Sequence, residues 1–453
     1  MTTAPLLVTP EDYSLLTDLY QLTMTACYVG EGLDQRRASF ELFVRRLPAN
    51  FGYLIAMGLT QAIEFLQRFQ FSDRHLSALQ ETEIFHQAPD AFWQTLRNTR
   101  FTGDVWAVPE GTALFAHEPL LRIEAPLWQA QIIETYLLNT LNYQTLIATR
   151  AARLRDVAGP EAKLLEFGTR RAFSPQGAVW AARAALAGGL DATSNVLAAL
   201  QLKQKPVGTM AHALVMAIAA TAGSEDEAFA AFHRYFPGAP LLIDTYDTVT
   251  AAKRLAEQQQ QGKSALGGVR LDSGDLVALS QQVHEILPDV PIFASGDLDE
   301  YEIERLRQAG ACIDGYGLGT RLVTGLPVNG VYKLVDIDGI PVMKESTSKV
   351  TYPGRKQIFR HYDGDRRVKD TLGLADEACP EAARPLLSLV MQRGELVAPL
   401  DSLEAIAQRT TQSVASLPKT VRAIVEPDST SVHPTPALRD LTEATRRTSI
   451  PAV

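Results

Sequence analysis

Between residues 164 and 321 the chain repeats one pattern: a short apolar run, a polar cluster, then a helical stretch. Leu164-Leu165-Glu166-Phe167 leads into Gly168-Thr169-Arg170-Arg171, and Leu241-Leu242-Ile243 into Asp244-Thr245-Tyr246-Asp247. Gly268-Val269-Arg270-Leu271 leads into Asp272-Ser273-Gly274-Asp275, Ile292-Phe293-Ala294 into Ser295-Gly296-Asp297, and residues 313–316 into Gly317-Leu318-Gly319-Thr320-Arg321. Between them, Leu276, Leu279, Val283, Ile286 and Leu287 fall on one helical face. Stretches 250–262 and 299–310 are helical in pattern and end in glycine. Strand, polar turn and helix in repetition predict parallel βα units. Polar residues at the C-terminal ends of such strands are where a (β/α) barrel builds its active site. Periodicity alone leaves an open doubly wound sheet as the other arrangement.

The expected fold class is therefore α/β, with the parallel βα units in the middle of the chain. A length of 453 residues suits two or three domains. The expected divisions are 1–125 for the N-terminal domain, 126–350 for the barrel, and 351–453 for an irregular and helical C-terminal extension. In the first of these, residues 39–44 pattern as a strand and 54–69 as a helix. Residues 128–154 form a long helical pattern.

Composition narrows the function classes. A net charge of −9 argues against non-specific binding to nucleic acid or an anionic membrane. The 3 cysteines, Cys27, Cys312 and Cys379, form no CxxC pair, so a reducing compartment is expected. Residues 1–9 lack a basic stretch followed by an apolar one, and the most apolar helical stretch, 213–220, is too short to span a bilayer. The expectation is a soluble, cytoplasmic protein.

The strand ends carry both signs of charge: Arg170, Arg171, Arg270 and Arg321 beside Asp244, Asp247, Asp272, Asp275 and Asp297. Forked arginine donors suit carboxylate and phosphate, and aspartates suit Mg²⁺ or a sugar hydroxyl. Together they suggest a substrate with phosphates, a ribose and a carboxylate. Gly315-Tyr316-Gly317-Leu318-Gly319-Thr320 is either a phosphate-cradling turn or a plain tight turn. His212, just before an apolar helix, is either a buried hydrogen-bonded histidine or a nucleophile or phosphate contact.

Taken in order, several segments resemble the nicotinate phosphoribosyltransferase family. They are Thr17-Asp18-Leu19-Tyr20-Gln21-Leu22-Thr23-Met24, Phe40-Glu41-Leu42-Phe43-Val44-Arg45-Arg46-Leu47-Pro48, Leu165-Glu166-Phe167-Gly168-Thr169-Arg170-Arg171-Ala172 and Ala192-Thr193-Ser194-Asn195. Gly208-Thr209-Met210-Ala211-His212, Val269-Arg270-Leu271-Asp272-Ser273-Gly274-Asp275, Gly317-Leu318-Gly319-Thr320 and Val331-Tyr332-Lys333-Leu334-Val335 follow. The resemblance implies an irregular, TIM-like (β/α) barrel with an additional N-terminal α/β domain that also takes up C-terminal segments, and a homodimer with shared active sites. It implies an enzyme that joins nicotinate and 5-phosphoribosyl 1-diphosphate, giving nicotinate mononucleotide and diphosphate. ATP hydrolysis is coupled to that reaction, Mg²⁺ is required, and the step serves NAD salvage.

By the same resemblance, Phe167 and Tyr20 sandwich the pyridine ring, Tyr20 acting in the neighbouring subunit's site. Read alone, Tyr20 is equally an amphipathic core tyrosine. Arg270 and Thr209 contact nicotinate, and Arg170 binds phosphate. Asp272 and Asp297 contact ribose or Mg²⁺. Gly317, Gly319 and Thr320 cradle the 5-phosphate, and Lys333 adds positive charge. His212 matches the family's phosphorylated histidine. Ser194 can donate to nicotinate's carboxylate, where an aspartate would favour nicotinamide. After residue 360 no motif carries over. The alternatives are a nicotinamide or quinolinate phosphoribosyltransferase, and a non-catalytic nucleotide-binding barrel. An aldolase-like barrel would want a strand-end lysine, which the five clusters lack.

Overall fold

A computed structural model describes residues 6–262, 265–346 and 349–449. The chain divides into two compact units: Met1–Leu146 with Pro327–Val453, and Ile147–Leu326.

The first unit is built on a seven-stranded antiparallel sheet. Its order is Ile340–Pro341, Gly330–Ile337, Arg37–Val44, Pro119–Pro126, Asp104–Ala107, Ser388–Gln392, Glu395–Leu396. Gly330–Ile337 fell inside the expected barrel segment, but it pairs with Arg37–Val44 and so belongs to this sheet. Ser388–Gln392 pairs with Asp104–Ala107, which makes the C-terminal part a structural completion of the N-terminal domain. That part is also richer in strand than expected: Lys356–Asp363 and Arg366–Leu374 form a long hairpin in a second, four-stranded sheet.

Arg37–Val44 is buried at every residue except Arg37, as a central strand covered on both faces. Burial there demands that its one carboxylate be paired, and Glu41 meets Lys356 Nζ at 2.9 Å. The stretch 54–69, expected as one helix, splits at Gly58, whose φ of 101° no other residue adopts readily. The strand Leu54–Ile55 precedes the break and the helix Leu59–Gln67 follows it. Phe65 of that helix stacks on Tyr136 with centroids 4.1 Å apart. The hairpin is held by buried charge: Arg360 donates to both oxygens of Asp370, at 2.9 and 2.8 Å, and Arg367 adds a third bond at 3.0 Å.

The second unit holds a six-stranded parallel sheet. Its order is Ala192–Thr193, Lys163–Glu166, Gly315–Leu318, Ile292–Ala294, Val269–Leu271, Leu241–Leu242. Numbered along the chain, that is 2-1-6-5-4-3. Strand 2 lies beside strand 1, strands 3 to 6 lie each beside the next, the last lies beside the first, and strands 2 and 3 are the two edges. A doubly wound sheet would instead reverse direction at a central switch point. Strand residues facing the helices are sealed: Val269, Leu271, Ile292 and Ala294 are all 0% exposed. Burial of each larger aliphatic side chain among them stabilises the fold by about 1.5–3 kcal/mol. The alternate positions, Arg270 and Phe293, turn to the other face and are only half-buried.

Helices Thr248–Gln260, Leu276–Ile286 and Glu300–Gln308 follow the strands. Each begins where an aspartate accepts from a backbone N–H of its first turn: Asp247 from Thr250, Asp275 from Val277 and Ala278, Asp299 from Glu302.

Candidate active site

The six strands run parallel, so their C-terminal ends gather on one edge of the sheet. Register pairs Arg270 with Leu242 and Phe293, Phe293 with Gly315, and Gly317 with Leu165, and partners in register share a face. One strand step further on stand Asp244, Asp272, Ser295 and Phe167, joined by direct contacts. Ser295 Oγ donates to Asp272 Oδ1 at 2.5 Å. The Asp272 backbone N–H and Ser273 Oγ both donate to Asp244 Oδ2 at 2.8 Å. The Phe167 ring lies against Gly317: a Cβ there would come within 2.7 Å of its Cδ2.

Arg270 anchors the middle of this face. Its Nη1 donates to Thr209 Oγ1 at 2.6 Å. Its Nε is buried and has no hydrogen-bond partner among the described residues, so a donor is held in reserve. Burial pulls the guanidinium below its ordinary pKa; Asp272 and Asp244 oppose that shift, and Arg170 adds to it. A desolvated cation with a donor in reserve is a place for an anion.

Ser194 follows the strand Ala192–Thr193, with its N–H bonded to the Glu166 carbonyl at 2.9 Å. His212 opens the helix His212–Ala222. It is half-buried, not sealed in the core, and its Nδ1 meets Thr245 Oγ1 at 3.1 Å. Arg170 and Asp297 are exposed on their turns. Gly319 and Thr320 lie where the strand Gly315–Leu318 passes into the four-residue helix Thr320–Val323. Gly317 lies earlier, within the strand and beside the ring of Phe167.

Tyr20 and Lys333 lie in the first unit, where they share Glu134. Tyr20 Oη donates to its Oε2 at 3.3 Å, and Lys333 Nζ sits 3.9 Å from its Oε1. Tyr20 is 47% exposed, which removes it from the core.

Some of the strand-end charge has structural work. Asp247 and Asp275 cap helices, and Arg321 pairs with Asp299 at 2.5 Å. Conversely, two neighbours of the expected residues had no role in the sequence: Thr245, which orients His212, and Glu166, which is fully buried next to Phe167. Asp244, one of the strand-end aspartates, supports Asp272. A charged residue inside an otherwise apolar strand end was the available signal for Glu166.

Among the described residues no group of three His, Cys, Asp or Glu side chains could hold a metal by itself. Mg²⁺ commonly takes only one or two protein carboxylates, completed by phosphate and water. Asp244 Oδ1 is buried without a hydrogen-bond partner, next to Asp272, and that orphaned oxygen fits a hard cation.

Comparison with known proteins places the chain in a family. Residues 15–142 match the N-terminal domain of nicotinate phosphoribosyltransferase, 162–293 the nicotinate phosphoribosyltransferase family, and 378–442 its C-terminal domain. The last match falls where the sequence offered no motif. A nicotinate phosphoribosyltransferase of Mycobacterium tuberculosis is 39% identical over 425 residues, covering 91% of this chain and 89% of that protein. One from Bacillus subtilis is 44% identical over 380 residues, covering 78% and 76%. The crystal structure of human nicotinic acid phosphoribosyltransferase superimposes with a TM-score of 0.83 at 30% identity, covering 94% of this chain and 99% of that one. With its N-terminal, central and C-terminal stretches all matched and relatives of 39% and 44% identity over most of its length, the chain belongs to the nicotinate phosphoribosyltransferase family.

Proposed function

We propose that this protein joins nicotinate to 5-phosphoribosyl 1-diphosphate, releasing diphosphate and giving nicotinate mononucleotide for NAD synthesis, with ATP hydrolysis coupled to the reaction. The observation that carries the assignment is the Arg270 face: a desolvated guanidinium bonded to Thr209 and near the Asp272–Asp244 pair, on the sheet face that also carries Gly317 and, against it, the ring of Phe167.

The pyridine nitrogen is already a nucleophile, so the site needs no strong base. It must hold the ring in line with the ribose C1 and stabilise the charge that grows as diphosphate leaves. Phe167 stacks on the ring, and Arg270, Thr209 and Ser194 supply donors for its carboxylate. Arg170, Gly319 and Thr320 face the phosphates. Gly317 serves the ring through its proximity to Phe167. Mg²⁺, held by Asp272 with Asp244 or Asp297, would neutralise the departing diphosphate.

His212 is the group that links ATP to the reaction. A proton on Nδ1, donated to Thr245 Oγ1, leaves the Nε2 lone pair free. Nε2 attacks the γ-phosphorus of ATP, the bond to the β-phosphate oxygen breaks, and ADP departs. Water later hydrolyses the phosphohistidine.

The cyclic strand order of the second unit supports a closed, irregular barrel, and exposed Val196, Leu197 and Leu200 support a homodimer in which Tyr20 completes the neighbouring site. Three free thiols, and no membrane-crossing helix among the described residues, support a cytoplasmic location. The test is an end-point assay with Mg²⁺, 5-phosphoribosyl 1-diphosphate and either nicotinate or nicotinamide, with and without ATP. Product from nicotinate, raised by ATP, is expected. Product from nicotinamide alone, or from neither, would reject the assignment.

A further inference from the structure

The side chain with the most unexplained chemistry in the second unit is Glu166. It is 0% exposed at the end of a strand, and burial pushes its carboxyl pKa up. Such a group is costly unless each oxygen is used. Both are: Oε1 accepts the Gly168 backbone N–H, and Oε2 accepts the Thr193 hydroxyl at 2.5 Å. Thr193 Oγ1 in turn accepts the Asn195 N–H at 2.9 Å, and Asn195 Oδ1 accepts the Ala198 N–H at 3.0 Å, capping the helix Val196–Gln201. The Glu166 carbonyl takes the Ser194 N–H, and the Thr193 carbonyl takes the Val207 N–H at 2.9 Å. Three chain segments are thus fastened to one carboxylate and its immediate partners. They are the turn that begins at Phe167, the segment bearing Ser194, and the irregular segment leading towards Thr209.

We propose that Glu166 is a positioning residue for the nicotinate end of the site. It ties the turn that carries the stacking ring to the segment that carries the carboxylate donor. The inference rests on the assignment of nicotinate to the Arg270 face. It differs from a general structural role in its asymmetry: its bonds reach Gly168, next to Phe167, and the segment of Ser194, whereas Gly319, Thr320 and the exposed Arg170, at the phosphate end, are not bonded to it.

The test uses full-length wild type, Glu166→Ala, Glu166→Gln and Thr193→Val, each measured for the nicotinate KM, the phosphoribosyl-donor KM, kcat and melting temperature. Glu166→Ala leaves two buried donors without acceptors and should raise the nicotinate KM about tenfold or more, with the other KM within about twofold. Glu166→Gln should rescue part of the loss, since its oxygen can serve Gly168 while its amide turns to a reversed Thr193 hydroxyl. Glu166→Gln and Thr193→Val combined should cost less than their sum, because they break one chain of bonds. If Glu166→Ala does not fold, Glu166→Gln and Thr193→Val decide the matter: each should raise the nicotinate KM about threefold or more. A wild type that makes nicotinate mononucleotide, with variants that keep its nicotinate KM or that raise both KM values together, overturns this inference alone. A wild type inactive on nicotinate overturns the assignment beneath it, and this inference with it.

Discussion

Substituting Gly317 by alanine separates two ways of using the glycine-rich strand. An alanine Cβ at this position would stand 2.7 and 2.8 Å from Phe167 Cδ2 and Cε2, and 3.2 Å from Ser295 Cβ. Ordinary carbon–carbon contact is roughly 3.5–4.0 Å, so the ring must retreat by about 1 Å. The strand cannot give way instead, because Gly317 is in register with Leu165 and the next carbonyl, Leu318, accepts the Phe167 N–H at 2.7 Å. Displacement of a positioning group by about 1 Å can cost up to about 100-fold in rate. Gly317→Ala should therefore raise the nicotinate KM between about 10- and 100-fold while the phosphoribosyl-donor KM stays within about twofold. Overpacking should cost roughly 1–3 kcal/mol, visible as a lower melting temperature. Gly30→Ala is the control, since nothing lies within 4 Å of its Cβ. Steady-state kinetics with each substrate varied in turn decide the question. An unchanged nicotinate KM would refute the steric reasoning, and a rise confined to the phosphoribosyl donor would return Gly317 to the phosphate cradle.

Three other outcomes are expected. His212→Ala should retain a basal rate and lose the ATP-dependent increase; the stoichiometry of ADP to mononucleotide checks this, and intact coupling would remove His212 from the mechanism. Asp370→Ala leaves Arg360 and Arg367 buried without their carboxylate and should destabilise the protein by about 3–5 kcal/mol, measured by denaturant titration; a loss under about 1 kcal/mol would show that buried Glu118, 3.7 Å from Arg360, compensates. His117 has its pKa lowered by burial, and Arg45 adds to the shift. The unfolded chain therefore takes up the proton first, and the stability His117 contributes is complete above its ordinary pKa and lost as pH falls below it. His117→Asn keeps a residue suited to the φ of 68° and should flatten the fall in melting temperature between about pH 7 and 5.5; a parallel pH dependence in both proteins would exclude His117 as its source.

The strand ends were legible because each is a short apolar run closed by a polar turn. All five runs are strands: Lys163–Glu166, Leu241–Leu242, Val269–Leu271, Ile292–Ala294 and Gly315–Leu318. The sixth, Ala192–Thr193, has two residues and no period to detect. Which aspartates face a site was not legible. Asp247 and Asp272 look alike in sequence, and only their distance from a helix N-terminus separates a cap from a strand-end group. Gly317 and Gly319 were grouped by spacing, yet strand alternation sets Gly317 against the ring. The pairing of Gly330–Ile337 and Ser388–Gln392 with strands roughly 290 residues earlier leaves no local trace, because contacts so distant in sequence depend on the whole fold.

That discontinuous first unit also sets an order for synthesis. A ribosome that has released residues up to 326 has delivered every strand of the parallel sheet, but Arg37–Val44 still lacks its Gly330–Ile337 partner and Asp104–Ala107 still lacks Ser388–Gln392. The portion made first is thus the portion finished last, and its open strand edges are a template for wrong pairing until the tail arrives. Proteolysis of chains stalled at residue 326 should cut in the N-terminal portion and spare 147–326; equal protection of both would contradict this order. For a producing cell, the hazard is a truncated message: it yields a well-formed second unit tethered to an adhesive one.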